Sequence, residues 1–136
     1  MGKSPDKILI LDNSVIKKFR GDKLYNKEKH IYQLNLEYIP KLISFDDVKK
    51  ELIIEKFGVD LVKIVPRKKR IKYYPKIKEL YFKFFEDTGF YLWDFRPANI
   101  VINLETEEIK LIDFEYYGEN RIWKSNINFL RIINVI

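Results

Sequence analysis

Three polar side chains in the last third of the sequence could act together as chemistry. Asp94 stands in Tyr91-Leu-Trp-Asp94-Phe-Arg96-Pro97-Ala-Asn99, with the asparagine five residues on; after a short apolar hairpin comes Lys110-Leu-Ile-Asp113-Phe114-Glu115. A carboxylate can orient an attacking hydroxyl or take its proton. An amide oxygen and a second carboxylate are the hard oxygen ligands that Mg²⁺ takes beside phosphate. In this order the residues are those that phosphoryl transfer from ATP requires. Each has a plainer alternative: Asp94 as a turn residue before a strand, Asn99 as a turn amide, Asp113 as a strand-end carboxylate satisfied by backbone. The coincidence of all three at this spacing favours the chemical assignment.

On these motifs the chain resembles the protein-kinase-like superfamily, as a very small member, and the resemblance runs over most of the sequence. Asp94 falls at the aspartate of H-R-D, Arg96 replaces the catalytic-loop lysine, and Pro97 and Asn99 match the K-P-x-N that follows. Asp113-Phe114 matches the start of D-F-G. Leu92 and Trp93 depart from the His-Arg before the catalytic aspartate, and Glu115 departs from the glycine of D-F-G. The Asp-Phe-Glu ending is similar to small-molecule kinases of the choline-kinase and aminoglycoside-phosphotransferase kind.

The resemblance implies further roles. Lys17, on a strand, would clamp the α- and β-phosphates, with Glu28 on the next helix as its carboxylate partner. Lys18 is the alternative if the strand slips by one residue, and Glu37 competes with Glu28 but lies close to Pro40. Arg96 would neutralise charge on the transferring phosphate. Glu55 to Gly58, with Phe57, would form a hinge offering backbone groups to adenine, and Asp60 would contact ribose or cap a helix. Asn99 and Asp113 would hold Mg²⁺. Before Lys17 the only glycine is Gly2, so the glycine-rich phosphate loop is expected to be absent or replaced by the Asp12-Asn13 turn. With about twenty residues after Asp113-Phe114-Glu115, an activation segment is not expected, which is similar to the reduced RIO-type kinases.

Composition narrows the remaining classes. At 136 residues the chain reads as one compact domain or one two-lobed unit, and aromatics at 15% can supply a core. The absence of cysteine excludes disulfides, a thiolate zinc site and a cysteine nucleophile. A single histidine, His30, argues against a multi-histidine metal cluster or a Ser-His-Asp site. A net charge of +6 favours encounter with anionic partners. The N-terminal apolar run, Ile8 to Leu11, is too short for a signal-peptide core, so a soluble, cytoplasmic protein with no membrane partner is expected.

The elements that must position these residues follow from pattern. Lys7 to Leu11 and Ser14 to Phe19 read as a hairpin around Asp12-Asn13, and Lys23 to Leu36 as a helix. Leu42 to Phe45 and Glu51 to Glu55 read as a second hairpin around Asp46-Asp47. A short helix from Asp60 to Val65 and a basic linker from Pro66 to Lys72 lead to an apolar helix, Pro75 to Thr88, closed by Gly89. A hairpin of Asn99 to Asn103 with Glu108 to Asp113, and a helix around Ile122 to Val135, complete the chain.

The expected fold is therefore α+β, a minimal two-lobed kinase-like arrangement. Residues 1–57 would form a reduced N-lobe of small antiparallel sheet and one helix, and residues 58–136 a reduced helical C-lobe. The leading expectation is an ATP- and Mg²⁺-dependent phosphotransferase acting on protein Ser/Thr; the alternative is a pseudokinase or adaptor that binds a partner protein, with a second copy of the chain as one such partner. The stretch Arg67 to Lys72 could contact nucleic acid, but a solvated linker is favoured over that role.

Overall fold

The structure, a computed structural model, describes residues 7–120 and 127–134. Short apolar runs rich in β-branched residues make the first hairpin, with β1 at Lys7–Ile10 and β2 at Ser14–Lys18. The second hairpin joins β3, Leu42–Asp46, to β4, Glu51–Glu55. Its turn runs through Asp47–Lys50, because Asp46 Oδ1 accepts hydrogen bonds from the Val48 and Lys49 amides at 2.9 and 3.0 Å. The four strands form one antiparallel sheet in the order β1-β2-β4-β3.

Between the hairpins lies α1, Asp22–Gln33, which buries Tyr25, Glu28, Ile31 and Tyr32 along one stripe. The helix stops three residues short of the expected Leu36. Asn35 takes a left-handed φ of 55°, and the Leu34 and Asn35 amides close back on the Ile31 and Tyr32 carbonyls. Asparagine tolerates that conformation better than any other residue but glycine, so the last turn ends there.

By its internal contacts the chain falls into two units, Met1–Phe57 with Asp113–Glu115, and Gly58–Ile112 with Tyr116–Ile136. The first holds the four-stranded sheet, α1 and the Asp-Phe-Glu segment. Phe114, fully buried, meets Tyr32 edge-on with ring centres 5.4 Å apart.

The second unit begins with β5, Val59–Asp60, and α2, Leu61–Ile64. Arg67–Tyr73, expected as a linker, is a 3-10 helix. Arg70 explains the order: its guanidinium donates to the Val65 carbonyl at 2.9 Å and the Val62 carbonyl at 3.2 Å, satisfying the end of α2. Helix α3, Tyr74–Thr88, has Pro75 in its first turn and buries Ile77, Leu80, Tyr81 and Phe84. Gly89, at φ 81°, closes it with a 2.7 Å bond from its amide to Phe85 O.

Strand β6, Tyr91–Leu92, leads through a 3-10 turn at Pro97–Asn99 into β7, Ile100–Ile102, and β8, Ile109–Leu111. The β7–β8 hairpin gains β5 as a third strand, an addition the hairpin pattern did not show. Gly58 permits it, since a Cβ there would stand 2.1 Å from the Ile102 carbonyl oxygen. A further strand, β9 at Tyr117–Gly118, pairs with β6. The final helix, α4, is Ile127–Ile132, and Phe129 packs against Phe95 at 5.5 Å. Residues 122–126 and 135 of the expected helix lie outside the described residues. Among the described residues no helix is long and apolar enough to cross a membrane.

Candidate functional site

Strand alternation decides between the two lysines of β2. Lys17 is buried, cross-paired with Ile8 and Leu52, whereas Lys18 points the other way and pairs with Glu51 at 3.1 Å. The Lys17 ammonium donates to Glu28 Oε1 at 2.6 Å and to Asp113 Oδ1 at 2.7 Å. Glu28 comes from the inward stripe of α1; Glu37 lies beyond the end of that helix and is exposed. The second oxygen of Glu28 accepts the Phe114 amide, so one carboxylate holds both the lysine and the backbone beside Asp113.

Asp113 itself has a left-handed φ of 68°. A non-glycine residue there costs on the order of 1 kcal/mol or more and is held only where its surroundings over-determine it. Here the surroundings are the Lys17 ion pair, the Glu28 bond to Phe114 and the buried Phe114 ring. Burial works against the charge on Lys17, but Glu28, then Tyr32 and Asp113, outweigh it and hold the ammonium well above its ordinary value of 10.5. Burial pushes Glu28 above its ordinary range, with Lys17 and the Phe114 amide pulling back. The Tyr32 phenol is likewise pushed up by burial. An ammonium has three donors, and two are spent on carboxylates. The Asp113 side chain is 30% exposed and so reaches solvent.

In the second unit, Asp94, Arg96 and Asn99 form a separate constellation. The Asn99 side-chain amide donates to the Asp94 carbonyl at 2.6 Å and to Asp94 Oδ2 at 3.3 Å. Arg96 Nε stands 3.1 Å from Asp94 Oδ1, with its side chain 61% exposed. Asn99 is fixed on the main chain from both sides, its amide donating to Arg96 O at 2.9 Å and its carbonyl accepting the Ile112 amide at 3.0 Å. Because the amide nitrogen is committed to Asp94, the carbonyl end of the side chain is the part that can serve as a ligand.

The structure thus brings Lys17, Glu28 and Asp113 together in one unit, and Asp94, Arg96 and Asn99 in the other. Glu55 ends β4 opposite Ser14, its amide donating to Lys41 O at 2.9 Å, and Phe57 follows half-buried. Asp60 stands at the N-cap position of α2 without a side-chain capping bond and pairs with Lys63 at 3.3 Å. Within the basic stretch, Arg70 is spent on α2 and Lys72 lies 3.4 Å from Glu107. The bond from Glu28 to the Phe114 amide was beyond sequence reasoning, because no local pattern reports a contact between residues 86 positions apart.

Among the described residues no cluster of three or more His, Asp or Glu side chains could hold a metal by itself. Asp113 in one unit and Asn99 in the other each offer one side-chain oxygen, and Mg²⁺ is an ion that takes few protein ligands beside waters and phosphates.

No protein-family profile matches the chain, and no curated protein matches its sequence. A search of solved structures finds the bifunctional kinase-methyltransferase WbdD, solved at medium resolution, with a TM-score of 0.66 and 18% identity. The match covers 94% of this chain and 34% of WbdD, so the chain spans about a third of that protein. At this identity the likeness is one of fold, and the fold is a small kinase-like α+β arrangement.

Proposed function

We propose that the chain is an ATP- and Mg²⁺-dependent phosphotransferase that moves the γ-phosphoryl group to a hydroxyl, with protein serine or threonine as acceptor. The observation that carries this reading is the Lys17 ammonium held at 2.6 Å from Glu28 and 2.7 Å from Asp113, with Asp113 in a left-handed conformation. A buried lysine between two carboxylates is costly as mere scaffold, since an apolar replacement is often as stable. It is well suited to meeting phosphate oxygens.

Lys17 would bind the α- and β-phosphates, with Glu28 fixing its ammonium. Asp113 and Asn99 would hold Mg²⁺, whose charge neutralises the phosphate oxygens when bound. Asp94 would orient the acceptor hydroxyl and receive its proton as that oxygen bonds to the γ-phosphorus and the bond to the β–γ bridging oxygen breaks, releasing ADP. Arg96 would offset charge on the transferred group. The main chain from Glu55 through Phe57 would meet adenine, and Asp60 the ribose.

The test is Mg²⁺-dependent transfer of labelled γ-phosphate to generic protein acceptors and to the protein itself, with Asp94→Ala and Asp113→Ala alongside. Transfer by the parent chain, lost in both variants while they stay folded, is the expected result. Transfer that survives in both sinks the assignment. One feature favours a second reading, a pseudokinase or adaptor that binds a partner protein: no glycine-rich turn precedes Lys17, and the Asp12-Asn13 turn stands there instead. No transfer together with no ATP-induced thermal shift would select it.

A further inference from the structure

Trp93 occupies the position just before Asp94, and its indole lies across Gly118. A Cβ at Gly118 would stand 2.1 Å from Trp93 Cζ2 and 2.4 Å from Cη2. Among the described glycines only Gly89 has a positive φ, so Gly118 is required by space and not by backbone conformation. Trp93 is also tied to the same segment by two hydrogen bonds. Its backbone amide donates to Tyr116 O at 3.0 Å, and its indole Nε1 donates to Asn120 O at 2.9 Å. The flanking strands run in register with this contact, Tyr91 opposite Gly118 and Leu92 opposite Tyr117.

Asp94 is the next residue, and its carbonyl is the acceptor for the Asn99 side chain at 2.6 Å. Whatever fixes Trp93 therefore fixes the start of the loop on which both Asp94 and Asn99 depend. We infer that Trp93 is a positioning residue: seated on Gly118 and bonded to Asn120, it sets where Asp94 stands and, through the Asp94 carbonyl, how the Asn99 amide is turned. The catalytic consequence rests on the phosphotransferase reading; the positional claim does not.

Gly118→Ala is the sharpest test, because the new methyl cannot coexist with the indole where it stands. In ¹H–¹⁵N spectra, the Asn99 side-chain amide and the Asp94 backbone amide should both shift in the folded variant. With active enzyme, kcat should fall about 10- to 100-fold, the range that a misplacement near 1 Å costs. KM for ATP should stay within about two-fold, since a loss confined to kcat marks an interaction realised after binding. Trp93→Phe, which shortens the ring and removes the bond to Asn120, should shift the same resonances less, and added to Gly118→Ala it should restore part of the lost rate.

Unmoved Asn99 and Asp94 resonances in folded Gly118→Ala would overturn the inference, as would an unchanged kcat. If Gly118→Ala does not fold, Trp93→Phe decides in its place: the Asn99 side-chain amide either moves or does not. If the parent chain transfers no phosphate, the functional reading fails, and the spectra still settle whether Trp93 sets the loop.

Discussion

The two constellations are built in opposite ways. Lys17, Glu28 and Asp113 are 11 and 96 residues apart along the chain, two of the three are buried, and charge meets charge at ion-pair distance. Asp94 and Asn99 are five residues apart, and a tight 3-10 turn closes the loop with main-chain bonds on both sides. The first exists only once β2, α1 and the Asp-Phe-Glu segment have come together, so its cost and its benefit belong to global stability. The second is closed mainly by short-range bonds, and its Asp94 and Arg96 side chains reach solvent, so its loss should be felt more by chemistry than by folding.

The largest effect that would break this contrast is at Lys17. Lys17→Met leaves Glu28 buried beside Asp113 with no counter-charge. Removing one partner of such a pair costs about 3 to 5 kcal/mol. Urea unfolding should therefore show a loss of this order, partly relieved in a Lys17→Met/Glu28→Gln double variant. A loss below about 1 kcal/mol would mean that the cluster is solvated in solution and that the two regions are energetically alike.

The same pair sets a pH dependence with a definite sign. The folded pKa of Lys17 is raised above its ordinary 10.5, so above that pH the unfolded chain gives up a proton that the folded chain keeps. The stability contributed by Lys17 is thus fully present below 10.5 and is lost as pH rises toward the folded value. Above about pH 10 the stability gap between parent and Lys17→Met should narrow, by about 1.4 kcal/mol per pH unit once the unfolded lysine has lost its proton. A gap that is flat through pH 11.5 would remove the coupling to Glu28 and Asp113.

These differences also explain what was readable in the sequence. The loop constellation is local, so the spacing of Asp94, Arg96, Pro97 and Asn99 carried it directly, and α3 with its Gly89 cap followed from helical periodicity. The α1 stripe pointed to Glu28, but the end of the helix was missed. Asn35 stops it through a backbone preference that the apolar residues Leu34 and Leu36 masked. The β6–β9 and β5–β7 pairings were invisible because two-residue strands carry no alternation; their only local marks are glycines, Gly58 and Gly118, whose need is set by atoms far away in sequence. Likewise Arg67–Lys72 read as a solvated run, since nothing local says that one arginine of five cations turns back to cap α2.

Within the second constellation, Asn99→Ala removes the amide that ties to the Asp94 carbonyl and leaves the backbone bonds in place. One buried hydrogen bond of this kind contributes about 1 kcal/mol. Thermal unfolding should fall by the equivalent of that amount, while phosphotransfer should fall by at least about 100-fold if Asn99 is a metal ligand. A stability loss without a loss of rate would leave Asn99 as a loop brace only.

Arg96 should matter least to the fold. Its guanidinium faces Asp94 at 3.1 Å, but the arginine side chain is 61% exposed, so water and salt screen the pair. Exposed pairs of this kind contribute about 0 to 1 kcal/mol, and Arg96→Ala should change the urea midpoint by an amount at the low end of that range. The conservative variant is the more telling one: Arg96→Lys keeps the charge but loses the planar fork that reaches both Asp94 oxygens. If Arg96 acts on transferring phosphate, both variants lower kcat and lysine retains more of it than alanine. If its work is only to hold Asp94 in place, lysine and alanine lose rate equally, and the ionic-strength dependence of the parent chain's kcat matches that of the alanine variant.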